Sequence, residues 1–254
     1  MVKLKSQEDL KLLRISGRIL ARVLKMLSAE AREGAVLSAL DDLAYKYIKA
    51  EGAYPAFLNY KPEGSRSPYP ASSCLSLNEE IVHGLPRDIA LRNGDVLKID
   101  LGVSYKGLIT DSATTVVVGG KSRSRKVAGL LTATQEALED AIAVCRAGAR
   151  LGDVGYAIER CIKKGGFKII NGLTGHGTGY VLHEDPTVWN RGRKGEGMEL
   201  KEGLVIAIEP MASIGSESAV EREDGTYVTR DGSIAAQFEH TVFITHDGCE
   251  VLTR

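Results

Sequence analysis

Apolar residues recur every three or four positions in four stretches of the chain, which is the spacing of one buried helix face. The first stretch begins at a capping box formed by Ser6 and Asp9, and we expect Gly34 to end it. A second capping box, Ser38 with Asp41, predicts the start of the next helix. The apolar face of the first helix is predicted to comprise Leu12, Ile15, Ile19, Val23 and Met26.

Shorter apolar runs predict β-strands between and after the helices. The strands predicted in the first half are Cys74–Leu77, Ile81–His83, Val96–Val103 and Leu108–Val118. Two more helices, around Arg125–Cys145 and Val154–Lys164, then precede strands at Gly179–His183, Leu204–Pro210, Thr226–Thr229 and Ile234–Thr245. This order predicts an α+β fold in which helices cover one face of an antiparallel sheet. We expect a single domain, residues 1–254, made of the pseudo-repeats 1–120 and 121–254.

The two halves of the chain repeat each other at their charged residues. Segment Leu91–Asp100 matches segment Leu200–Glu209, because each has a leucine, a basic residue and a glycine turn before an apolar strand that ends in a carboxylate. His83 matches His183 upstream, and Asp111 matches Glu239 downstream. If these halves face each other, four carboxylates meet, and their repulsion has to be relieved by cations.

Composition limits the classes of function. The chain has 254 residues, 43% of them hydrophobic, and a formal net charge of +0, so nothing draws it to nucleic acid or to a membrane. No apolar run approaches membrane-spanning length. The four cysteines form no C-x-x-C pair, which makes a zinc ribbon unexpected and favours a reducing, cytoplasmic location.

Asp100 and Asp111 are the first candidate ligands. If Ser104 pairs with Gly107 across a hairpin turn, Asp100 lies directly opposite Asp111. Like charges opposite each other in apolar strands destabilise a sheet, so this pair must either share a proton or bind a cation.

Two histidines lie near glycines that leave their rings uncrowded. His176 stands between Gly175 and Gly177, and His183 follows seven residues later. The first half has Ser76 in the place of His176, so only one half supplies an imidazole ligand.

Glu209 and Glu239 complete the predicted ligand set. A glutamate within an apolar strand is costly unless it is paired or bound to metal. Four carboxylates and one imidazole suit manganese, iron(II), cobalt or zinc, and a pair of bridged ions about 3.5–4 Å apart is common in hydrolases. A water between the ions would act as the nucleophile, and Glu209 could take its proton. His83 and His183 are then free to contact substrate and developing charge.

These residues closely resemble type I methionine aminopeptidases of peptidase family M24. The resemblance runs nearly end to end and depends on these segments: Asn78–Pro86, the Asp100 and Asp111 pair, Gly175–Gly179, His183–Pro186, Glu209–Met211 and Gln237–Thr241. It implies the pita-bread fold with two pseudo-twofold halves forming one catalytic domain. It also implies removal of the initiator methionine from nascent proteins. The start of the chain looks like the short bacterial form without a zinc-binding extension.

The resemblance also implies roles for individual residues. Asp100 would chelate one metal, Asp111 and Glu239 would bridge, and His176 and Glu209 would hold the other ion. His83 would lie near the scissile amide, and His183 would stabilise the tetrahedral intermediate. The implied cofactor is two divalent ions of cobalt, manganese, iron(II), zinc or nickel. We expect a monomer that acts on nascent polypeptide N-termini, with docking on the ribosome as an option.

A methionine pocket is expected from an aromatic stretch, residues 54–73, which could also be a mere surface excursion. The residues that match pocket-lining positions are Phe57, Tyr60, Tyr69, Cys74 and Leu182. An apolar slot lined by aromatic rings and a thiol suits a thioether. The chain departs from the family in carrying extra residues at 61–66, and in having Thr226 or Tyr227 where the family often has a tryptophan.

Two other functions remain open at this point. An Xaa-Pro aminopeptidase or prolidase of the same fold would cleave Ala-Pro peptides rather than Met-Ala-Ser. A non-catalytic binding module that kept the fold would bind no metal, although the full ligand set in this chain disfavours that class.

Overall fold

The computed structural model describes residues 2–61, 67–120, 122 and 124–254. Residues 62–66, where most of the extra segment falls, lie outside the described residues. The first half contains α1 (Gln7–Glu30), α2 (Leu37–Ala50), β1 (Tyr54–Pro55), β2 (Cys74–Leu77), β3 (Glu80–Val82), β4 (Val96–Tyr105) and β5 (Leu108–Val117).

The second half again begins with two helices. Its elements are α3 (Arg125–Val144), α4 (Leu151–Lys164), β6 (Lys168–Ile169), β7 (Thr174–Gly177), β8 (Glu184–Trp189), β9 (Val205–Ile208), β10 (Met211–Ser213), β11 (Ala219–Glu221), β12 (Tyr227–Thr229), β13 (Ala235–Gln237), β14 (His240–Ile244) and β15 (Cys249–Val251). The mixture of four helices with antiparallel strands among the described residues confirms the predicted α+β class.

The first helix begins as predicted and ends earlier. Ser6 Oγ accepts from the Asp9 amide at 3.2 Å, and Asp9 Oδ2 accepts from the Ser6 amide at 2.8 Å, which completes the capping box. The helix ends at Glu30, so the prediction that Gly34 stops it is wrong. Gly34 instead lies in the following turn with φ 83°, a conformation that favours glycine.

The buried face of α1 is centred differently from the prediction. Ile19 and Val23 are buried, whereas Met26 is exposed at the edge of the face. Leu20 and Leu27 lie at the centre of the buried face instead.

The second predicted capping box is wrong. Helix α2 begins after Val36 without a side-chain cap. The Asp41 carboxylate accepts from the backbone amides of Ser72 at 3.0 Å and Ser73 at 2.8 Å, and from the Ser73 hydroxyl at 2.7 Å. Asp41 thus stabilises the loop that leads into β2, a contact between distant parts of the chain that a local pattern does not predict.

The predicted register of the β4–β5 hairpin is also wrong, by two residues. Tyr105 pairs with Leu108, and the turn residues Lys106 and Gly107 both have positive φ, as a two-residue hairpin turn requires. Asp100 therefore pairs with Ala113 rather than with Asp111. Because side chains alternate with a period of two, Asp100 and Asp111 still point to the same face as diagonal neighbours.

Two strand predictions in the second half fail at the residues near the site. Residues 178–183 form an irregular loop between β7 and β8, where a strand had been predicted at Gly179–His183. The predicted strand Ile234–Thr245 is divided into β13 and β14. Both interruptions place candidate site residues outside regular ladders.

Each half has its own hydrophobic core beneath its helices. In the first half, α1 and α2 pack on the β4 face that carries Leu97, Ile99, Leu101 and Val103. In the second half, α3 and α4 pack against β9 and β14. Alternation along β4 places Asp100 on the face away from α1 and α2. The site is therefore on the sheet face that these helices do not cover.

Within the described ranges, no helix combines the length and the apolar character that a membrane span needs.

Candidate metal centre

All five ligands predicted from the sequence meet on the sheet face away from α1 and α2. Asp100 lies in β4, Asp111 in β5 and His176 in β7, whereas Glu209 directly follows β9 and Glu239 lies between β13 and β14. Ligand atoms of Asp100, Glu209 and Glu239 lie within 4.8 Å of one another.

A second group adjoins the first. Ligand atoms of Asp111, His176 and His183 also lie within 4.8 Å of one another. His176 Nε2 is 3.7 Å from Asp111 Oδ2 and 4.0 Å from Glu239 Oε1, so it connects the two groups.

The electrostatics of this cluster favour cations. Burial raises the pKa of Asp100 to about 7. Burial, reinforced by the neighbouring carboxylates, raises the pKa of Asp111, Glu209 and Glu239 well above the ordinary value. Within the described part of the chain, the buried oxygens Asp100 Oδ1, Asp111 Oδ1 and Glu239 Oε1 accept no hydrogen bond. Unsatisfied buried carboxylate oxygens are costly, and divalent ions would satisfy them together, so the residues present fit a metal site.

Gln237 is a residue of the site that the sequence patterns did not single out. Its Nε2 donates to Glu209 Oε1 at 2.6 Å and to Asp100 Oδ2 at 3.3 Å. It thus connects a carboxylate of the first half with one of the second. An amide donor holds both groups in place without adding charge to the cluster. Its place in the Gln237–Thr241 segment, two residues before Glu239, was the available signal.

Hydrogen bonds of backbone and hydroxyl groups join β5 to the segment that carries Glu239. The Ser112 hydroxyl donates to the Glu239 carbonyl at 2.6 Å, and the Glu239 amide donates to the Ala113 carbonyl at 2.9 Å. The Asp111 amide donates to Thr241 Oγ1 at 2.9 Å, and that hydroxyl donates to the Asp111 carbonyl at 2.7 Å. These contacts fix the separation of Asp111 and Glu239, which do not pair with each other in a β-ladder.

The ring of His176 presents one free nitrogen to the carboxylates. Its Nδ1 lies 2.9 Å from the Gly177 carbonyl, an acceptor, so Nδ1 carries the hydrogen. Burial lowers the pKa of His176 to about 4, which keeps the ring neutral at pH 7. The Nε2 lone pair is therefore available as a ligand, oriented by the backbone contact at the other nitrogen.

His183 lies at the mouth of the cleft. Its Nδ1 is 3.1 Å from the Tyr60 hydroxyl, and its ring packs edge-on against His176 with centroids 4.4 Å apart. Partial loss of solvent in the cleft, reinforced by the imidazoles of His176 and His83, lowers the pKa of His183, although its side chain still reaches solvent. The ring is neutral at pH 7.

His83 comes from the first half and lies close enough to His176 and His183 to lower the pKa of both. Its backbone has φ 59°, an uncommon conformation for this residue type that often accompanies functional sites. The next residue must be glycine, because a Cβ on Gly84 would lie 2.6 Å from Ser76 Cα. The ring packs edge-on against Tyr227 with centroids 5.6 Å apart. Partial loss of solvent around the ring lowers the pKa of His83, although the residue is still exposed to solvent. Of the two residues considered for this place, Tyr227 contacts the imidazole.

The predicted pocket residues form one cluster beside the carboxylates. Phe57, Cys74 and Leu182 are buried together, and Tyr60 and Tyr69 pack against them. Cys74 pairs with Asp100 across β2 and β4, so the apolar cluster adjoins the ligands. Ile109 joins the same cluster, although no sequence pattern had marked it.

Most of the chain matches the model of one protein family. Residues 11–246 match the model of metallopeptidase family M24. The match includes the five candidate ligands together with His83 and His183.

Individual relatives match over the full length. The chain is 44% identical to a methionine aminopeptidase of Aquifex aeolicus, over 99% of this chain and 98% of that protein. Its structure is similar to the crystal structure of methionine aminopeptidase from Thermotoga maritima, with a TM-score of 0.94, 38% identity and full coverage of both chains. Prolidase from Pyrococcus furiosus has a similar fold at a TM-score of 0.78, with 23% identity and coverage of 99% of this chain and 65% of the prolidase. These structures confirm the predicted pita-bread fold.

Proposed function

The chain belongs to the methionine aminopeptidases of metallopeptidase family M24, and we propose that it acts through two divalent ions held by its five buried ligands. The methionine aminopeptidases remove N-terminal methionine, and the full-length relatives favour this reaction over the prolidase reaction. The observation that carries the two-ion proposal is the set of buried carboxylate oxygens without hydrogen-bond partners among the described residues.

The ligands divide between the two ions in our proposal. Asp100 would hold one ion, His176 and Glu209 would hold the other, and Asp111 and Glu239 would be shared by both. When bound, the ions supply positive charge that makes a water more acidic and polarises the carbonyl of the first peptide bond. The oxygen-rich donor set with one imidazole accepts cobalt, manganese, iron(II), zinc or nickel.

Glu209 is proposed to move the proton. Gln237 holds Glu209 Oε1 at 2.6 Å, which leaves Oε2 to take a proton from the attacking water and deliver it to the departing amine.

His183 and His83 are proposed to contact the substrate. With His183 Nδ1 accepting from the Tyr60 hydroxyl, Nε2 carries the ring hydrogen and donates it to the oxyanion of the tetrahedral intermediate. His83 lies near the scissile amide in our proposal, and its left-handed backbone with Gly84 packed behind it fixes the direction of the ring.

The methionine side chain is proposed to bind in the cluster of Phe57, Tyr60, Tyr69, Cys74 and Leu182. Aromatic edges and a buried thiol favour a flexible, polarisable thioether over a branched side chain.

The setting of the reaction is also a proposal. We propose that the protein is a monomer with a single catalytic domain, residues 1–254, made of the pseudo-repeats 1–120 and 121–254. We also propose that it acts in the cytoplasm on nascent chains as they leave the ribosome. The duplicated order of elements supports the repeats, and free thiols at all four cysteines support a reducing compartment. Neither a nucleic acid nor a membrane is part of this proposal.

Metal-free protein reconstituted with one metal at a time tests the proposal on two peptides. We expect cleavage of Met-Ala-Ser with release of free methionine, at a rate that saturates near two equivalents of metal, and no cleavage of Ala-Pro. Cleavage of Ala-Pro but not of Met-Ala-Ser would contradict the proposed substrate. A rate that saturates at one equivalent of metal would contradict the proposal that two ions are needed.

A further inference from the structure

The segment before α1 contacts the loop that carries His183. We define the His183 loop as residues 178–183. Lys5 Nζ lies 2.6 Å from Glu184 Oε2 at the end of this loop, and both side chains are buried, with 1% and 8% of their surfaces exposed. Burying an ion pair removes the hydration of both charges, and this desolvation lowers or cancels its contribution to stability. A role in positioning the loop would explain why the pair is present.

Glu184 closes the His183 loop on itself. Its second oxygen, Oε1, accepts from the Tyr180 amide at 2.6 Å and from the Val181 amide at 2.9 Å. One carboxylate therefore binds both the loop backbone and the Lys5 ammonium. The backbone of this loop lies outside the regular strands, and the β7–β8 register shifts just before it, between His176 and Gly177.

Lys5 also packs over the start of the loop. A Cβ on Gly179 would lie 2.4 Å from Lys5 Cε, and Gly179 has φ 127°. Lys5 Nζ lies 4.9 Å from the centre of the Tyr180 ring. Burial lowers the pKa of Lys5, and the Glu184 carboxylate opposes that shift.

Both ends of this contact are anchored in the fold. The Lys5 amide donates to the Gly203 carbonyl at 2.7 Å. The Tyr180 hydroxyl donates at 2.7 Å to Asp9, the acidic residue of the α1 capping box. The Ile109 amide of β5 donates to the Gly179 carbonyl at 2.7 Å. A displacement of the loop would have to break contacts with three separate elements.

We propose that Lys5 and Glu184 are positioning residues that hold the His183 loop so that the His183 imidazole and the Leu182 side chain face the metal centre. This inference rests on the proposed role of His183. Neither residue touches the substrate in the proposal. They act through the loop, whose irregular backbone gives it many alternative conformations once the ion pair is lost.

Lys5→Met and Glu184→Gln test the proposal, because each removes one charge and keeps most of the side-chain volume. The matched control is Lys163→Met, which breaks the Lys163–Glu159 pair of the same 2.6 Å length on the exposed side of α4. We expect kcat on Met-Ala-Ser to fall about 10- to 100-fold in Lys5→Met, as small displacements of catalytic groups do, with two metal ions still bound. Lys163→Met should match the wild type.

Two further readouts separate positioning from general destabilisation. Hydrogen exchange should accelerate at the Tyr180 and Val181 amides of Lys5→Met and remain unchanged in α3. In a His183→Ala background, Lys5→Met should lower kcat by much less than it does in the wild type, because the loss that arises through His183 is already present and only the loss through Leu182 remains. Tyr180→Phe, which removes only the hydroxyl contact with Asp9, should shift exchange in the same direction by less.

Unchanged exchange in residues 178–184 of Lys5→Met would overturn the proposal, as would a full additional loss of kcat in the His183→Ala background. If His183→Ala alone leaves kcat unchanged, the proposed role of His183 fails. The exchange measurement then decides separately whether Lys5 and Glu184 order the loop. Should Lys5→Met not fold, exchange in Tyr180→Phe and Glu184→Gln decides the question.

Discussion

The two halves of the molecule reach the metal centre by different structural means. The first half supplies Asp100 and Asp111 from one regular hairpin, in which ladder pairing and a two-residue turn set their relation. The second half supplies Glu209 from the residue after a strand and Glu239 from between two strands, outside regular ladders. Those residues depend on side-chain contacts such as those of Gln237 and Ser112.

The difference shows what each kind of placement requires. Regular strands need only correct alternation of side chains to bring two carboxylates to one face. Irregular segments need individual hydrogen bonds or ion pairs, each contributed by a residue far away in the chain. Substitutions in the second half should therefore differ more from one another in their effect on the site, because each one removes a different individual contact.

Glu209→Gln should produce the largest loss. We expect kcat to fall about 10²- to 10⁴-fold, because the change removes a proton acceptor and a charged ligand while preserving shape. Steady-state kinetics on Met-Ala-Ser with saturating metal measures the loss. Glu217→Gln, which weakens only the surface pair with Arg191, is the control and should keep the wild-type kcat. An unchanged kcat in Glu209→Gln would rule out its role as base and ligand.

His183→Ala should follow, with a fall in kcat of about 10²-fold from loss of a donor to the oxyanion. His83→Ala should also lower kcat more than metal affinity. Metal content measured after dialysis separates the roles, because both variants should retain two ions. This is a strict test for His183, because its ligand atom and those of Asp111 and His176 lie within 4.8 Å of one another. Loss of metal from His183→Ala would make it a ligand.

His176 and Ser76 occupy matching positions in the two halves and give the most direct contrast. His176→Ala should weaken metal binding by more than the roughly 10- to 100-fold that loss of an outer-shell contact causes. Ser76→Ala should leave metal affinity unchanged and lower the free energy of unfolding by about 1 kcal/mol, because Ser76 Oγ accepts from the Gly84 amide at 3.0 Å. Equal metal affinity in both variants would contradict the claim that only the second half supplies an imidazole ligand.

The pH dependence of stability should be the mildest effect. Burial raises the pKa of Asp100 from 3.8 to about 7, so the metal-free folded protein binds more protons than the unfolded chain between these values. Its free energy of unfolding should therefore fall as pH rises through this window, by roughly 1 kcal/mol per pH unit from Asp100. Thermal unfolding in chelator should show the fall. With manganese bound, the trend should reverse, because protons compete with the ions. A free energy of unfolding that does not change with pH in chelator would contradict the raised pKa of the buried carboxyl groups.

The sequence alone predicted the fold class and the five candidate ligands that the structure brings together, for physical reasons that the hairpin illustrates. The assumed turn was wrong by two residues, yet Asp100 and Asp111 stayed on one face because alternation has a period of two. Helix ends were less accurate, since Asp41 serves a distant loop rather than its own helix.

The remaining features depend on contacts between residues far apart in the chain. A strand was predicted at Gly179–His183 from its apolar residues, but Lys5 and Glu184 hold this segment as a loop. Nothing local to Gln237 indicates that it connects Asp100 with Glu209. Such pairings arise only when the two halves come together.

Calorimetric titration of the metal-free protein with manganese or cobalt is the most direct test of the central claim. We predict binding of two ions per chain, accompanied by proton release at pH 7 from the buried carboxyl groups. Asp111→Asn, which neutralises a proposed bridging ligand, should weaken binding of the pair. A titration that shows no binding in the wild type, even in excess metal, would contradict the account.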